Sequence, residues 1–310
     1  MRYLIHIILL LTLFPKHPYG QTNKTNDSNY IRITYFGTAG WEITDGKTVI
    51  LIDPYLSRLR RSDTNKDDNR TVYGDSVFVA LDTLAIDRHI KKADFILVHH
   101  SHRDHIMDVP YIAKKTGATV IGHESTANTA RACGVTDDYI VTVKGGEDFN
   151  FGSFSLKVIP SLHSPLDDKT YFDSRVFPKD KKSPLRPIDY VEGGSIAFLI
   201  RFKGYQILTS GSMNYIENEL RGLKPDIAIV GANLSRKEIY DYAGRLMKVL
   251  GYPKIVLPTH WDDFTVPFEY PQTEKLEQLK SFIAEIKKAS PKTDVLLPKY
   301  FVPLIFKSKK

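Results

Sequence analysis

Four of the chain's ten histidines lie within seven residues, directly after the short apolar run Phe95-Ile-Leu-Val98. A continuous apolar run of this length is typical of a strand buried on both faces. The histidines follow in the stretch His99-His-Ser-His-Arg-Asp-His105, at the carboxyl end of the run, where open α/β sheets tend to place their sites. This stretch constrains the fold, because the ligands of one loop cannot complete two metal sites and distant segments must be brought to it.

The spacing within the stretch predicts two half-sites. Residues two apart in an extended chain point the same way, so His100 and His102 can meet one metal ion. Asp104 and His105 come after the chain turns and can hold a second ion. His99 is expected to be the last strand residue and to point away from the metals. Imidazole and carboxylate ligands together suit zinc, and also iron or manganese.

Two distant histidines offer the remaining ligands. His163 follows the predicted strand 154–159, and His260 follows the predicted strand 255–257. A lone histidine after a strand is usually a surface or core residue, so neither position indicates a site by itself. Together with the cluster, however, they indicate three strand ends that converge on one rim. For His123, which also follows a predicted strand, an ordinary surface position and a place at the rim of the site are both open.

The rest of the chain alternates short β-rich runs with helices, which predicts two sheets, or one mixed sheet, covered by helices. The predicted strands are residues 31–36, 48–52, 95–98, 119–121, 140–143, 154–159, 195–202, 206–209, 227–230 and 255–257. Ser235-Arg-Lys-Glu238 has the pattern of a capping box and predicts a helix that runs to Leu250 and stops at Gly251. A second amphipathic helix is predicted over 273–288. Residues 57–76 and 164–191 lack regular patterning, and loops of that length are often functional.

The histidine stretch resembles the His-x-His-x-Asp-His motif of the metallo-β-lactamase superfamily, with His100 rather than His99 in the first position. The resemblance covers most of the chain, because Gly37-Thr-Ala-Gly40 and Leu51-Ile-Asp-Pro54 are similar to the family's first-sheet segment. It implies an α/β (α+β) fold, an αββα sandwich of two mixed β-sheets flanked by helices. A weaker resemblance, in the segments after Asp53 and His260, is to the branch of ascorbate-phosphate lactonases and N-acylphosphatidylethanolamine phospholipase D.

The resemblance also implies a ligand set for two ions. The ligands of the first ion are His100, His102 and His163, and those of the second are Asp104, His105 and His260. Asp104 is in addition the predicted catalytic residue, because it can orient the attacking hydroxide. Asp53 is similar to a motif aspartate that supports the ligand loops rather than binding metal. Asp262 and Asp263 are predicted to support the site by bonding a ligand histidine or touching substrate, with plain surface or helix-cap roles as the alternative.

The fourth motif departs from the family pattern. The family usually has an aspartate that bridges the two metals after a glycine, and Ser212 stands at this position after Gly211. A neutral hydroxyl bridges metals poorly, which weakens the expectation of a tightly bound second ion without removing it. Some members of the family lack the bridging aspartate and still hold two zinc ions.

The function implied is a metal-dependent hydrolase, with two zinc ions as the expected cofactors and Mn²⁺ or Fe²⁺ as alternatives. A metal-bound hydroxide would attack an ester, lactone or phosphodiester. A catalytically weak or inactive metal-binding member that acts as a binding protein is the main alternative. A true β-lactamase and a di-iron oxidoreductase are less favoured, because an oxygen-reducing member is expected to carry the carboxylate bridge.

The N-terminus predicts export. Arg2 precedes the apolar residues 3–14, which are too few to span a bilayer comfortably, so residues 1–20 are predicted to be a signal peptide of a periplasmic or secreted protein. An uncleaved N-terminal anchor is the alternative. Residues 21–30 are predicted to be a polar linker, and 31–310 the hydrolase domain.

Charge and composition indicate the class of partner. The net charge is +7, but there is no aromatic and basic array of the nucleic-acid-binding type, so no nucleic-acid partner is expected. A small-molecule or lipid-like substrate is expected, and contact with a membrane surface is compatible with the basic charge.

Overall fold

The computed structural model describes residues 29–60, 72 and 77–309. The predicted signal peptide at 1–20 and all but the last two residues of the predicted linker lie outside this part of the chain. The strands are β1 (Tyr30–Gly37), β2 (Gly40–Thr44), β3 (Val49–Ile52), β4 (Phe95–Leu97), β5 (Thr119–Gly122), β6 (Ile140–Thr142), β7 (Asp148–Asn150), β8 (Ser155–Pro160), β9 (Ile196–Phe202), β10 (Tyr205–Ser210), β11 (Ile227–Gly231), β12 (Ile255–Thr259), β13 (Asp294–Val295) and β14 (Leu304–Lys307). The helices are α1 (Thr83–His89), α2 (Arg103–Ile106), α3 (Val109–Thr116), α4 (Glu124–Ala132), α5 (Glu217–Leu220), α6 (Tyr242–Val249) and α7 (Thr273–Ala289).

Within the described residues, these strands form two seven-stranded mixed sheets. The first has the order β14-β1-β2-β3-β4-β5-β6, and the second has the order β13-β12-β11-β10-β9-β8-β7. Strands β3 to β6 are parallel to one another, as are β10 to β13, while β1, β2 and β14 and strands β7 to β9 pair antiparallel. The predicted αββα fold is confirmed.

The apolar runs of the first sheet are buried on both faces because alternate residues meet different layers. In β4, Phe95 and Leu97 join the core between the two sheets, whereas Ile96 joins a second core beneath helices α1 to α4. On the far side, buried residues of α6 and α7 belong to the same apolar cluster as the second sheet. Among the described residues, none of the helices has both the length and the apolar character needed to cross a bilayer.

The prediction that a helix begins at Ser235 is wrong. Residues Leu234–Glu238 form a 3-10 turn, which the side chain of Asn233 caps by accepting a hydrogen bond from the Ser235 amide. The Arg236 guanidinium is buried and donates to the Ala232 carbonyl and to Glu285. These contacts hold the turn apart from α6, which begins only at Tyr242 after a left-handed residue.

The four strands β2, β7, β13 and β14 have no counterpart among the predicted runs. Two of them, β7 and β13, are only three and two residues long, which is too short for a pattern of alternation to develop. Strand β2 begins at Gly40 and has polar Glu42 and Thr44 among its five residues, so it does not form an apolar run.

Candidate metal centre

The site lies where strand ends of both sheets meet. Asp53 and His99 follow β3 and β4, which are parallel neighbours in the first sheet. His260 follows β12, and His163 lies three residues after β8. Strand β8 runs in the same direction as β10 because antiparallel β9 separates them, so its carboxyl end lies on the same edge as that of β12. The amide of Ile196 at the start of β9 donates to the His99 carbonyl at 2.9 Å and joins the two edges.

Six predicted ligands come together as two groups of three. We call His100, His102 and His163 the first trio, and Asp104, His105 and His260 the second trio. Within each trio, one potential ligand atom per residue lies within 4.8 Å of the others. Each pair of rings in the first trio has centroids 4.8 Å apart and planes close to perpendicular.

The two trios adjoin through His100 and His105, whose ring centroids are 3.8 Å apart. In the second trio, the Asp104 carboxylate lies between two imidazoles, 3.3 Å from Nε2 of His260 and 3.6 Å from Nε2 of His105. This arrangement offers two adjacent positions, each with three nitrogen or oxygen ligands, which is the donor set that zinc prefers at catalytic sites.

Hydrogen bonds fix which nitrogen of three imidazoles faces the centre. Nε2 of His102 donates to the Phe172 carbonyl at 3.1 Å, and Nδ1 of His163 donates to the Ser164 carbonyl at 2.8 Å. Nδ1 of His105 donates to the Asp53 carboxylate at 2.6 Å. In each ring the other nitrogen keeps its lone pair free for a metal, as is usual for metal-binding histidines.

The buried nitrogens of His100 provide a test of whether a metal fits. The side chain is only 1% exposed, and neither ring nitrogen has a hydrogen-bond partner among the described residues. A buried polar atom without a partner costs roughly 1–3 kcal/mol, so an imidazole with two such atoms needs a ligand. These atoms fit a metal-binding role.

Burial keeps the first trio neutral. It lowers the pKa of His100 well below its usual range, and the neighbouring His105 adds to this effect. Burial, followed by the proximity of His163, lowers the pKa of His102 to about 3. The pKa of His163 is lowered to about 4, mainly by burial, although its bond to Ser164 acts in the opposite direction. All three rings are therefore unprotonated at neutral pH, the form that binds metal.

The second trio is charged in the metal-free protein. Burial alone would raise the pKa of Asp104, but the imidazoles of His105 and His260 outweigh it and hold this pKa well below its usual range. For His260, burial would lower the pKa, and the hydrogen bond and charge of Asp104 outweigh burial and raise it. At pH values below this raised pKa, the proton on His260 lies against the Asp104 carboxylate, between two groups of the second trio.

Asp53 supports the site, as the family pattern implies, through a buried chain of hydrogen bonds. One carboxylate oxygen accepts from Nδ1 of both His105 and His99 at 2.6 Å, and the other accepts from the His99 amide at 2.9 Å. Nε2 of His99 lies 3.0 Å from the Thr209 hydroxyl of β10. Burial would raise the pKa of Asp53, but His99 and His105 lower it to about 2. Asp53, His99 and His105 also lie close enough to ligate a cation together, but their short mutual hydrogen bonds account for the contact.

Ser212 lies beside the first trio without entering it. Its hydroxyl accepts a hydrogen bond from the Ser164 amide at 2.9 Å and lies 3.3 Å from the Ser164 hydroxyl. The side chain amide of Asn214, two residues further on, donates to the His163 carbonyl at 3.1 Å. The segment after β10 therefore holds the backbone on both sides of the His163 side chain.

Asp262 is fully buried and supports His260 indirectly. Its carboxylate accepts from the Thr38 amide at 2.8 Å, and the Thr38 carbonyl accepts in turn from the His260 amide. It also accepts from the hydroxyls of Tyr35 and Tyr300 and forms an ion pair of 3.0 Å with Arg58. The structure gives it no hydrogen bond to a ligand imidazole.

Asp263 differs from its neighbour. Its carboxylate accepts from the amide and hydroxyl of Thr265 at 2.9 and 2.6 Å, so it closes its own turn rather than bonding a ligand histidine. An aspartate two residues before a threonine readily folds back in this way. His123, the other histidine at a strand end, lies outside both trios and precedes α4.

Several supporting residues were not predicted. Arg58, 1% exposed, donates to the carbonyls of Val266 and Asp263 as well as to Asp262. Phe172 and Asn214 hold two ligand histidines by their carbonyl and side-chain amide. A buried arginine is rare, but sequence patterns do not reveal burial in an irregular segment. The backbone φ angles of Asp53 and His260, 40° and 55°, are positive, which is unusual for residues other than glycine.

Comparisons with known proteins agree with this geometry. A family model described as a beta-lactamase superfamily domain matches residues 32–260. A UPF0173 metal-dependent hydrolase of Heliobacterium modesticaldum is 25% identical over 246 residues, which cover 76% of this chain and 84% of that protein.

Two solved structures share the fold at low identity. Igni18, described as a novel metallo hydrolase from Ignicoccus hospitalis, matches with a TM-score of 0.56 and 17% identity over 90% of this chain and 100% of its own. CmlA, described as a diiron beta-hydroxylase from Streptomyces venezuelae, matches with a TM-score of 0.55 and 14% identity over 92% of this chain and 55% of its own. At such identities the likeness concerns the fold alone.

Proposed function

The chain belongs to the metallo-β-lactamase superfamily and is a metal-dependent hydrolase, and from this premise we propose that it binds two zinc ions and hydrolyses an ester, lactone or phosphodiester bond. The observation that carries the proposal is the pair of adjacent trios, in which His100 has two buried ring nitrogens without a partner among the described residues. The first trio would hold one ion and the second trio the other. Mn²⁺ or Fe²⁺ would suit the same ligands.

Bound zinc supplies Lewis acidity and lowers the pKa of water to about 7. The protein side chains supply orientation and charge. Asp104 stays ionised because its pKa is held low, so its carboxylate can accept a hydrogen bond from the attacking water and aim a lone pair at the substrate. Asp53 keeps Nε2 of His105 directed at the site, because Nδ1 is committed to the carboxylate.

The second ion is proposed to bind more weakly than the first. The three groups of the second trio can hold it, but Ser212 adds no charge, and its hydroxyl is already bonded to the Ser164 amide. At pH values below the raised pKa of His260, the proton on its ring must also leave before the ion binds. Activity therefore depends on the zinc concentration over a range in which the first site is already full.

The alternatives differ in turnover and in metal. A binding protein would keep both trios yet cleave nothing. A di-iron oxidoreductase would use the same ligands for iron. CmlA is described as a diiron enzyme, but at 14% identity the likeness to it concerns only the fold. A true β-lactamase is less favoured, since the sequence resembles the lactonase and phospholipase D branch more closely. Export, with residues 1–20 as a signal, remains part of the proposal.

A metal analysis combined with a substrate panel tests the proposal. Protein loaded with zinc is expected to bind two ions per chain and to hydrolyse at least one of a generic ester, a lactone or bis(p-nitrophenyl) phosphate. His102→Ala is expected to lose the first ion and to reduce kcat/KM by at least about 10³-fold, since the remaining ligands cannot close the site. His123→Gln is the matched control, because His123 also follows a strand but lies in neither trio.

Full metal occupancy with no turnover on any substrate would support the binding-protein alternative. Retained activity in His102→Ala would contradict the site assignment itself.

A further inference from the structure

A hairpin over residues 164–172 is anchored to the first trio at both ends. Pro165 and Tyr171 form an antiparallel bridge, and the Leu166 amide donates to the Thr170 carbonyl at 2.7 Å. The hairpin begins directly after His163. It ends at Phe172, whose carbonyl accepts the hydrogen bond from His102. We call residues 164–172 the site hairpin. Its position is therefore fixed by the same contacts that orient two metal ligands.

The site hairpin exposes apolar side chains beside the metal centre. Leu166, Tyr171 and Phe172 are 41%, 45% and 42% exposed. The Phe172 ring lies against His102, with ring centroids 5.3 Å apart. Clustered exposed apolar groups of this kind usually mark a binding surface, because leaving them in water forgoes roughly 25 cal/mol per Å².

The second trio has an aromatic neighbour of its own. The ring of Phe264 meets His260 edge-on, with centroids 5.6 Å apart, and packs against Tyr55 at 6.2 Å. Tyr55 is fully buried, so the Phe264 ring packs against a fixed neighbour. Each trio thus has one histidine with a phenylalanine packed against it.

Charge near the site hairpin does not favour an anionic substrate. Four of the six basic residues between positions 164 and 191 are paired with carboxylates, and the pairs are Lys169 with Glu238, Arg175 with Asp173, and Lys181 and Arg186 with Asp189. The other two are Lys179 and Lys182, which have polar neighbours in the loop. Both come after the buried Phe177 in the sequence and lie outside the site hairpin. Paired cations offer little to a phosphate, whereas the exposed Phe172 and the half-buried Phe264 offer apolar area.

We infer that the substrate is a neutral carbonyl ester or lactone with an apolar acyl group, which Phe172 and Phe264 bind beside the bond to be cleaved. This inference rests on the proposed hydrolase function and narrows its substrate class. In the reaction, the oxygen of water forms a bond to the carbonyl carbon, and the bond from that carbon to the alcohol oxygen breaks. The alcohol oxygen takes up a proton from the water, so no oxidant or reductant is needed.

The test compares p-nitrophenyl acetate, butyrate and octanoate with the zinc-loaded protein. Each fully buried methylene contributes about fourfold, so with partial burial kcat/KM is expected to rise at least about 10-fold from butyrate to octanoate. Phe172→Ala is expected to reduce this rise by about 5-fold or more, and the ratio of octanoate to butyrate kcat/KM is compared so that any general loss of activity cancels. The substitution keeps the backbone carbonyl that accepts from His102. Phe264→Ala is expected to act in the same direction.

Tyr240→Ala is the control, because Tyr240 is an aromatic residue that is 85% exposed and for which the structure gives no contact with either trio. Calorimetric titration with the free carboxylates octanoate and acetate, which are products of ester cleavage, adds a readout without turnover. The wild-type protein is expected to bind octanoate at least about 10-fold more tightly than acetate.

The outcomes separate the inference from the proposed function. If no ester is cleaved, the proposed ester hydrolysis fails, while tighter binding of octanoate than of acetate still supports the apolar site. If esters are cleaved with an octanoate preference that neither phenylalanine variant changes, the inference is overturned. The inference is also overturned if Phe172→Ala no longer binds phosphatidylcholine vesicles but still prefers the octanoate ester. The site hairpin would then contact a membrane rather than the substrate.

Discussion

Asp53 orients two histidines with one carboxylate. It accepts from His105, a predicted metal ligand, and from His99, which reaches the Thr209 hydroxyl in the other sheet. The close approach of the sheets at this point requires Gly211, because a Cβ there would lie 2.7 Å from the Cβ of His99. The adjacent histidines therefore have opposite tasks: His99 joins the sheets, and His100 faces the site.

The effect of Asp53→Asn should be confined to the second ion. An amide keeps only one acceptor oxygen. If that oxygen faces the two ring nitrogens, the NH2 group meets the donating His99 amide, and if it faces the His99 amide, both rings lose their acceptor, so the His105 ring is held less firmly in either case. Loss of such a supporting bond typically lowers metal affinity 10–100-fold. We expect this loss at the second site, with the first site near wild type, in titrations with Co²⁺ followed by visible absorption.

Asp94→Asn provides the matched control for Asp53→Asn. Asp94 also accepts a backbone hydrogen bond, from the Val49 amide at 2.7 Å, at the opposite end of the same strand β3. Equal weakening of both ions in Asp53→Asn would contradict the role assigned to this aspartate.

At the residue scale, the spacing of the histidine stretch predicted two half-sites, because it is a local feature. The resemblance to a family implied which half-site His163 and His260 complete. The structure places the six residues as two trios, and their role as metal ligands stays a prediction. The partner of each second ring nitrogen was not predictable, because Phe172 and Asn214 reach the histidines through a backbone carbonyl and a side-chain amide that no motif marks. Nor could the sequence distinguish Asp262, which is buried in a network, from Asp263, which closes its own turn.

At the scale of elements, the segment after β12 is held by a buried ion pair. Arg58 and Asp262 are 1% and 0% exposed at their side chains and lie 3.0 Å apart. The guanidinium also lies 4.4 Å from the centre of the Phe268 ring. Through Thr38, this pair connects the turn after β1 to the backbone of His260.

Removing one member of this pair should destabilise the protein strongly. In Asp262→Asn, Arg58 remains buried without its counter-charge, and such changes cost about 3–5 kcal/mol. We therefore expect a decrease of that size in the free energy of unfolding, measured by urea denaturation of the metal-free protein. The double variant Arg58→Met with Asp262→Asn is expected to recover part of the loss, because no unpaired charge is then buried.

A surface pair serves as the comparison for this experiment. Glu217→Gln breaks the partly exposed pair with Arg245 at 2.9 Å and should cost about 1 kcal/mol or less. A similarly small effect of Asp262→Asn would show that the buried pair does not stabilise this segment.

Of two predicted helices, one is present as expected and the other begins at a different residue. The long amphipathic helix predicted over 273–288 is present as Thr273–Ala289, because 17 residues of regular spacing leave little ambiguity. The predicted capping box at Ser235 is instead a separate 3-10 turn, because Arg236 turns inward to Glu285 of α7, a contact between residues 49 positions apart. Local signals cannot anticipate a contact of that range.

On the scale of the whole molecule, the two sheets contribute different halves of the site. The first sheet supplies the cluster after β4, and the second supplies His163 and His260 from the ends of β8 and β12. The pairing of the sheets was implied by the resemblance to a family and not by the strand patterns, which were equally compatible with one mixed sheet. The site exists only when both sheets are in place, so metal binding and folding should be coupled.

The two trios differ in protonation, so the two ions are expected to displace different numbers of protons. His102 and His163, with pKa values lowered to about 3 and about 4, are already neutral near pH 6, so the first ion displaces no proton from its trio. The pKa of His260 is raised by Asp104, so below that raised value the ring is protonated and the second ion must displace its proton. As pH rises through this pKa, the proton is no longer there to be displaced, and the apparent affinity for the second ion levels off.

Calorimetric zinc titration in two buffers with different ionisation enthalpies measures this difference. Near pH 6, below the pKa of about 7 that zinc gives to bound water, we expect almost no proton release with the first equivalent and up to one proton with the second. The apparent affinity for the second ion should fall by up to about tenfold per pH unit on further acidification, because one proton competes with it. Release of a proton with the first equivalent would mean that the tighter ion binds in the second trio, and the assigned order of binding would have to be reversed.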